Sequence, residues 1–158
     1  SGTTGNPKGV MLTYQAIDGI KVVLDDPNNP LGIKHTGNND FISYLPLNHI
    51  FERVVIEWCS FRYGGIISFV ESIDTFGKNL KAVQPHVFAA APRVWTKLQV
   101  GILSKFSQKT LDVLLSIPLL SGVLKKLIKK GLGFTRTRIA VSVSAPMPVE
   151  LIEWFRKI

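Results

Sequence analysis

The sequence predicts an α/β fold, a mainly parallel β-sheet flanked by helices, and three observations carry that reading. Four short runs rich in β-branched and aromatic residues, FISYL (41–45), IISFV (66–70), VFAAA (87–91) and RIAVSV (138–143), have the length and composition of strands. The segments between them repeat their apolar residues at helical spacing, so strand and helix alternate along the chain. The 158 residues are 46% hydrophobic, enough to build a buried core and too many for a disordered chain.

The elements follow in order. A first helix is expected from Thr13, a suitable N-cap, toward Leu24, where DDPNNPLG ends it with two prolines and turn residues. Helical patterns then occupy roughly 49–62, 75–84 and 93–107, and a last one runs over 148–158 from Pro148. Residues 110–131, TLDVLLSIPLLSGVLKKLIKKG, interrupt the alternation with a helical insert broken at Pro118 and closed by Gly131. On a helical wheel Val123, Leu124, Leu127 and Ile128 share one side of this insert, and Lys125, Lys126, Lys129 and Lys130 share the other. No internal repeat or low-complexity tract is present, and residues 1–158 read as one partial domain.

The net charge of +8 is concentrated. Between Asp112 and Glu150 lie Lys125, Lys126, Lys129, Lys130, Arg136 and Arg138 and no acid, a patch suited to polyanions or an anionic membrane surface. The patch lacks the interleaved aromatics that stack on bases, so nucleic acid is not expected as a partner. The basic helix has two readings: a surface helix packed on its own domain with a solvated lysine face, or an interfacial helix meeting anionic lipid. The single cysteine, Cys59, excludes an internal disulfide and a multi-thiolate metal site, and its bulky neighbours point to a buried, unreactive thiol. The first ten residues show no basic-then-apolar leader, and the charge-free stretch 113–124 is short and interrupted by proline. The expectation is a cytoplasmic chain that does not span a membrane, with peripheral contact through the lysine-rich helix as its membrane option.

The opening SGTTGNPKGV gathers groups suited to phosphate: glycines let backbone N–H groups converge on an anion, Ser1, Thr3 and Thr4 add hydroxyls, and Lys8 adds a positive charge. It is neither a Walker A loop nor GxGxxG, because Pro7 precedes Lys8 and Gly9 follows it. In residue order SGTTGNPKG resembles the phosphate-binding signature of the adenylate-forming superfamily of acyl- and aryl-CoA synthetases, luciferases and peptide-synthetase adenylation domains. Three further segments resemble that family in the same order. YLPLNHIFERV is similar to a Leu-Pro-Leu-x-His-x-Phe-Glu-Arg segment of long-chain acyl-CoA synthetases, and AAPRVWTKL to a Val-Pro-Arg-Val-Trp-Glu-Lys segment of the same branch. SVSAPMPVELIEWFR is similar to the Ser-Gly-Gly-Ala-Pro-Leu segment that lines the adenine pocket.

The resemblance implies activation of a long-chain fatty acid in two steps. The carboxylate attacks the α-phosphorus of ATP and releases pyrophosphate, and the thiol of coenzyme A then takes the acyl group from acyl-AMP. It implies nucleotide contacts from Ser1, Gly2, Thr3, Thr4, Gly5, Lys8, Gly9, Ser144, Ala145 and Pro146, and catalytic roles for Lys8 and His49. Mg2+ would bridge phosphate oxygens, with no protein metal ligand assigned in this chain. Glu52 and Arg53 read as a helix-surface pair, Arg93 as a helix-start residue and Trp95 as core. Val143 and Ser144 stand where relatives carry two glycines, so Ser144, Ala145 and Pro146 are left to face the nucleotide. The chain lacks the family's Tyr-Gly-x-Thr-Glu segment, its ribose-binding aspartate and its C-terminal catalytic lysine. It therefore reads as a fragment, inactive by itself and prone to self-association through uncovered apolar faces. An aryl or amino-acid adenylating enzyme, or a non-catalytic module binding membrane or polyanion, are the alternatives.

Overall fold

A computed structural model describes residues 6, 9–26, 28, 33 and 38–158. The chain divides into two compact units, Ser1–Ile33 and Lys34–Ile158. In the first, α1 spans Tyr14–Asp25 and starts where expected: the Thr13 side chain accepts a hydrogen bond from the Ala16 N–H at 3.2 Å. It stops at Asp26, whose backbone is extended and whose carboxylate accepts from the Asn28 N–H at 2.7 Å.

The second unit is a four-stranded sheet in the order β2-β1-β3-β4, with each neighbouring pair parallel. The strands are β1 (Phe41–Ser43), β2 (Ile67–Phe69), β3 (Val87–Ala90) and β4 (Ile139–Ser142), each inside its sequence-predicted run. Next to β1 and β4 on either side, β3 is buried along its whole length, as the uninterrupted apolar run VFAA requires of an inner parallel strand.

Helices cover both faces. After β1 a helix runs through a π-helical segment, Glu52–Trp58, into α2 (Cys59–Tyr63). Alternation along β1 sends Ser43 toward Glu52 of that helix and Ile42 the other way, into a cluster with Leu80, Phe88, Trp95 and Leu151. That second face carries α3 (Phe76–Val83), α4 (Pro92–Leu103) and α7 (Val149–Arg156). The insert forms α5 (Gln108–Ser116) and α6 (Pro118–Leu132), broken at Pro118 as predicted. Leu111, Leu124 and Ile128 of this pair pack with Ile102 and Trp154 into a second cluster.

Three expectations change here. Gly131 lies inside α6, and the cap is Gly133, whose φ of +83° suits glycine and whose added Cβ would meet the Leu80 carbonyl at 2.4 Å. The apolar side of α6 is divided: Leu124 and Ile128 are buried, whereas Val123 and Leu127 are exposed, because the helix is packed along only part of its apolar stripe. The basic patch also divides. Arg136 is paired with Asp40, and Arg138 donates to the Asn38 carbonyl at 2.8 Å and to the Asn39 side chain at 2.9 Å, contacts in which the lysines of α6 take no part.

Candidate functional site at the carboxyl ends of the strands

Parallel pairing puts the carboxyl ends of all four strands on one edge. From β1 the chain moves outward to β2, and from β3 it moves outward to β4 on the opposite side, so the β1–β3 boundary is a topological switch point. Loops that diverge at such a point leave a crevice, the usual ligand position in open α/β sheets. Three of the segments singled out in the sequence lie on this edge: residues 44–49 after β1, 91–92 after β3 and 143–148 after β4.

The end of β3 gathers them. The Tyr44 hydroxyl donates to the Ala89 carbonyl at 3.2 Å, and the Val143 N–H donates to the Ala90 carbonyl at 3.1 Å. The same Ala90 carbonyl accepts from the Trp95 indole N–H at 3.2 Å, which fixes the start of α4. Trp95 is thus core, as expected, with its ring edge-on to Phe88 and Phe155, and Arg93 is exposed in the first turn of α4.

His49 is half-buried just before the helix that follows β1. Its backbone N–H donates to the Pro46 carbonyl at 2.8 Å, and its ring Nδ1 accepts from the Phe51 N–H at 3.2 Å. An accepting Nδ1 places the proton of the neutral ring on Nε2, leaving Nε2–H as a donor.

Glu52 is the residue that the sequence reading missed. It does not pair with Arg53, which bonds Glu57 at 2.8 Å one turn on. Glu52 is instead 1% exposed, and its Oε1 accepts from the Ser43 hydroxyl at 2.9 Å, the Tyr44 N–H at 2.8 Å and the Leu45 N–H at 2.9 Å. One carboxylate oxygen therefore holds the strand end from which residues 44–49 depart. Its Oε2 has no partner among the described residues. A helical wheel drawn at 3.6 residues per turn could not show this burial, because the segment is wound with i→i+5 bonds. The usable signal was an acid in an apolar run shortly after a turn with free backbone donors.

Neighbouring groups carry matching shifts. Burial, with the Glu52 charge adding to it, pushes the Tyr44 phenol up to about 12, so it stays protonated and a donor above the pH at which an ordinary tyrosine ionises. Burial pushes the Cys59 thiol up to about 12 as well, and its Sγ donates to the Val54 carbonyl five residues back. Cys59 is the inert, buried thiol that the sequence suggested.

Ser144, Ala145 and Pro146 are exposed on the same edge, and Ser144 has a φ of +70°, a left-handed conformation unusual for a residue with a side chain. Of the opening loop only Asn6 and Gly9 are described, and Gly9 is exposed with open space where a Cβ would stand. Ser1, Gly2, Thr3, Thr4, Gly5 and Lys8 lie outside the described residues.

An apolar cavity flanks the edge on each face of the sheet. One, of about 450 Å³, is walled by Leu45, Val70, Ile73, Phe76 and Val94. The other, of about 240 Å³, follows the helix that starts beyond His49 and is walled by Leu47, Ile56, Phe61, Ile67 and Phe69, with Glu52 at its side. Among the described residues no three His, Cys, Asp or Glu side chains converge to hold a metal ion.

An open α/β sheet with His49 and the exposed residues 144–146 at its carboxyl edge, and an apolar cavity on each face beside that edge, has the architecture in which α/β proteins place their ligands. The chain belongs to the AMP-binding enzyme family, whose model matches residues 1–158. It is 29% identical to Long chain acyl-CoA synthetase 3 of Arabidopsis thaliana over 99% of this chain and 26% of the relative. It is 32% identical to Long-chain-fatty-acid–CoA ligase 5 of Rattus norvegicus over 99% of this chain and 25% of the relative. The chain thus spans about a quarter of the length of the curated relatives it matches.

Proposed function

We propose that this chain supplies part of the nucleotide- and acyl-binding edge of an enzyme that activates a long-chain fatty acid with ATP and passes it to coenzyme A. The observation that carries the reading is the bonding of Tyr44, Val143 and Trp95, at the starts of the segments after β1 and β4 and of α4, to the carbonyls that end β3, within a chain matched throughout by the AMP-binding family. The names of its relatives give the substrate class.

On this reading the carboxylate oxygen attacks the α-phosphorus and pyrophosphate leaves. Ser1, Gly2, Thr3, Thr4, Gly5, Lys8 and Gly9 hold the phosphates and offset charge on the leaving group. His49 points its Nε2–H at an oxygen of the α-phosphate or of the acyl-adenylate, since an Nδ1 occupied by Phe51 orients the ring. Ser144, Ala145 and Pro146 border the adenine. The acyl chain runs along the helix beyond His49, in the cavity walled by Leu47, Ile56 and Phe61. The thiol of coenzyme A then displaces AMP from the acyl carbon. Magnesium would be held by phosphate oxygens; the described residues offer no cluster for it, and no step here is routed through it.

Peripheral membrane contact of a cytoplasmic protein belongs to the same proposal. Leu119, Leu120, Val123 and Leu127 are exposed along α6 beside Lys126 and Lys130, the arrangement of an interfacial helix, with Lys125 and Lys129 further round. No helix among the described residues is long and apolar enough to cross a membrane.

The test is Lys8→Ala in a full-length enzyme carrying this segment. Adenylation should slow far more than the later thioester step, and equal slowing of both would remove the pyrophosphate role. The 158-residue chain alone should self-associate and show no fatty-acid-dependent release of pyrophosphate. Retention of a catalytically silent full-length protein on anionic vesicles, lost when the α6 lysines become glutamates, would favour a binding module instead.

A further inference from the structure

Between α3, α4 and α6 lies a groove of about 470 Å³ that shares no residue with the cavity along the helix beyond His49, and shares Lys97 and Leu98 with the cavity on the other face of the sheet. Its walls are apolar, from Leu80, Leu98, Ile102, Leu127 and Ile128. Its polar lining comes from lysine: Lys81 of α3, Lys97 of α4 and Lys105 just beyond α4, with no acid among the lining residues. The ion pairs among the described residues involve other groups, so among the described residues none neutralises these three ammonium groups.

The glycines at the groove support this. Gly77, Gly101 and Gly131 each line it from within a different helix, and none has a positive φ. A Cβ at any of the three would meet nothing within 4 Å, so neither backbone conformation nor internal packing calls for glycine. A glycine within a helix costs roughly 1 kcal/mol relative to alanine, and here the visible return is open space over an apolar floor.

We infer that this groove binds a monomeric single-chain amphiphile with an anionic head, an alkyl carboxylate or alkyl phosphate. Apolar walls without directional groups suit an alkyl chain, and hydrated point charges at the margin suit a carboxylate or phosphate rather than a neutral or cationic head. The size lies in the range of small-molecule sites. The inference goes beyond the ligase reading and does not need it, because it concerns binding to other residues and requires no nucleotide.

The experiment is calorimetric titration of a full-length protein carrying this segment, without ATP, with dodecyl phosphate and dodecanoate below their micelle-forming concentrations, wild type against the groove variants. Both should show a saturable site that the groove variants weaken or remove. The same tail on a trimethylammonium head should bind at least about tenfold more weakly. The triple variant Lys81→Gln, Lys97→Gln, Lys105→Gln should weaken dodecyl phosphate by about tenfold or more. Gly101→Leu should fill the groove and remove binding while leaving the helical circular dichroism intact. Should that variant misfold, the exposed lysine changes decide the matter alone. Equal binding of the cationic amphiphile, undiminished binding by the triple variant, or retention only on phosphatidylglycerol vesicles with no saturable monomer site would each overturn the inference. A preference for dodecanoate over dodecyl phosphate would assign the carboxylate head, and the reverse the phosphate head; either result supports the site.

Discussion

The amino and carboxyl ends of the same strands are built to different ends. At the amino ends Asp40 pairs with Arg136, the Asp40 N–H donates to His86 Nδ1 at 3.1 Å, and Arg138 reaches the side chain of Asn39, 99 residues away in sequence. Asn39, fully buried, donates to the Gly64 carbonyl at the end of α2. Charge here is consumed in joining β1, β3 and β4. At the carboxyl ends the loops are exposed, Ser144 keeps a positive φ, and the buried Oε2 of Glu52 and hydroxyl of Ser142 lack partners among the described residues. Buried polar atoms without a partner thus occur at the carboxyl ends, and among the described residues none occurs at the amino ends.

Removing one tie from each edge gives the largest expected contrast. Glu52→Ala strips the acceptor from the Ser43 hydroxyl and two backbone N–H groups, and should cost about 3 kcal/mol or more in urea unfolding. Glu52→Gln keeps a carbonyl acceptor and should cost less than half of that. Arg136→Ala should cost under about 1 kcal/mol, because the arginine side chain is 47% exposed and its pairing is screened by solvent. Similar losses for Glu52→Ala and Arg136→Ala would remove the distinction between the edges.

The two edges should also fail at opposite ends of the pH scale. Burial first, then the positive charge of Arg136, hold the His86 pKa below its ordinary 6.5. The unfolded chain therefore binds a proton more readily, and the stability His86 contributes above 6.5 should fall as pH drops below that value. Tyr44, raised from 10.0 to about 12, and Cys59, raised from 9.0 to about 12, contribute stability that is complete below their unfolded values and is lost as pH rises beyond 9 to 10. Melting curves of wild type, His86→Gln and Tyr44→Phe across pH should show His86→Gln flattening the acid limb and Tyr44→Phe the alkaline limb. A crossed or absent response would contradict this assignment. The smallest expected effect is Ser144→Gly. It relieves the left-handed backbone but loosens the unfolded chain, and should raise stability by up to about 1 kcal/mol in thermal unfolding; a loss would mean that the Ser144 side chain is itself bonded.

Much of this was legible in the sequence. The four strands were, because a parallel sheet covered on both faces needs short, continuous apolar runs. The Thr13 cap and the break at Pro118 were, because each depends on local backbone chemistry. Glu52 was not, because its burial follows from π-helical winding and from donors on another element. The division of the basic patch was also hidden: Arg136 and Arg138 look like neighbours of the α6 lysines in sequence, yet they pair with residues near 40.

By itself, the order of residues determined the α/β class, the positions of the elements and the family, since all three are written in local periodicity and contiguous motifs. Only the tertiary structure decided that Glu52 holds the strand end before His49, that Gly133 rather than Gly131 closes α6, and that an apolar groove lies open between three helices beside Lys81, Lys97 and Lys105. Each of these depends on groups distant in sequence meeting in space, and the spacing along one chain carries no record of that.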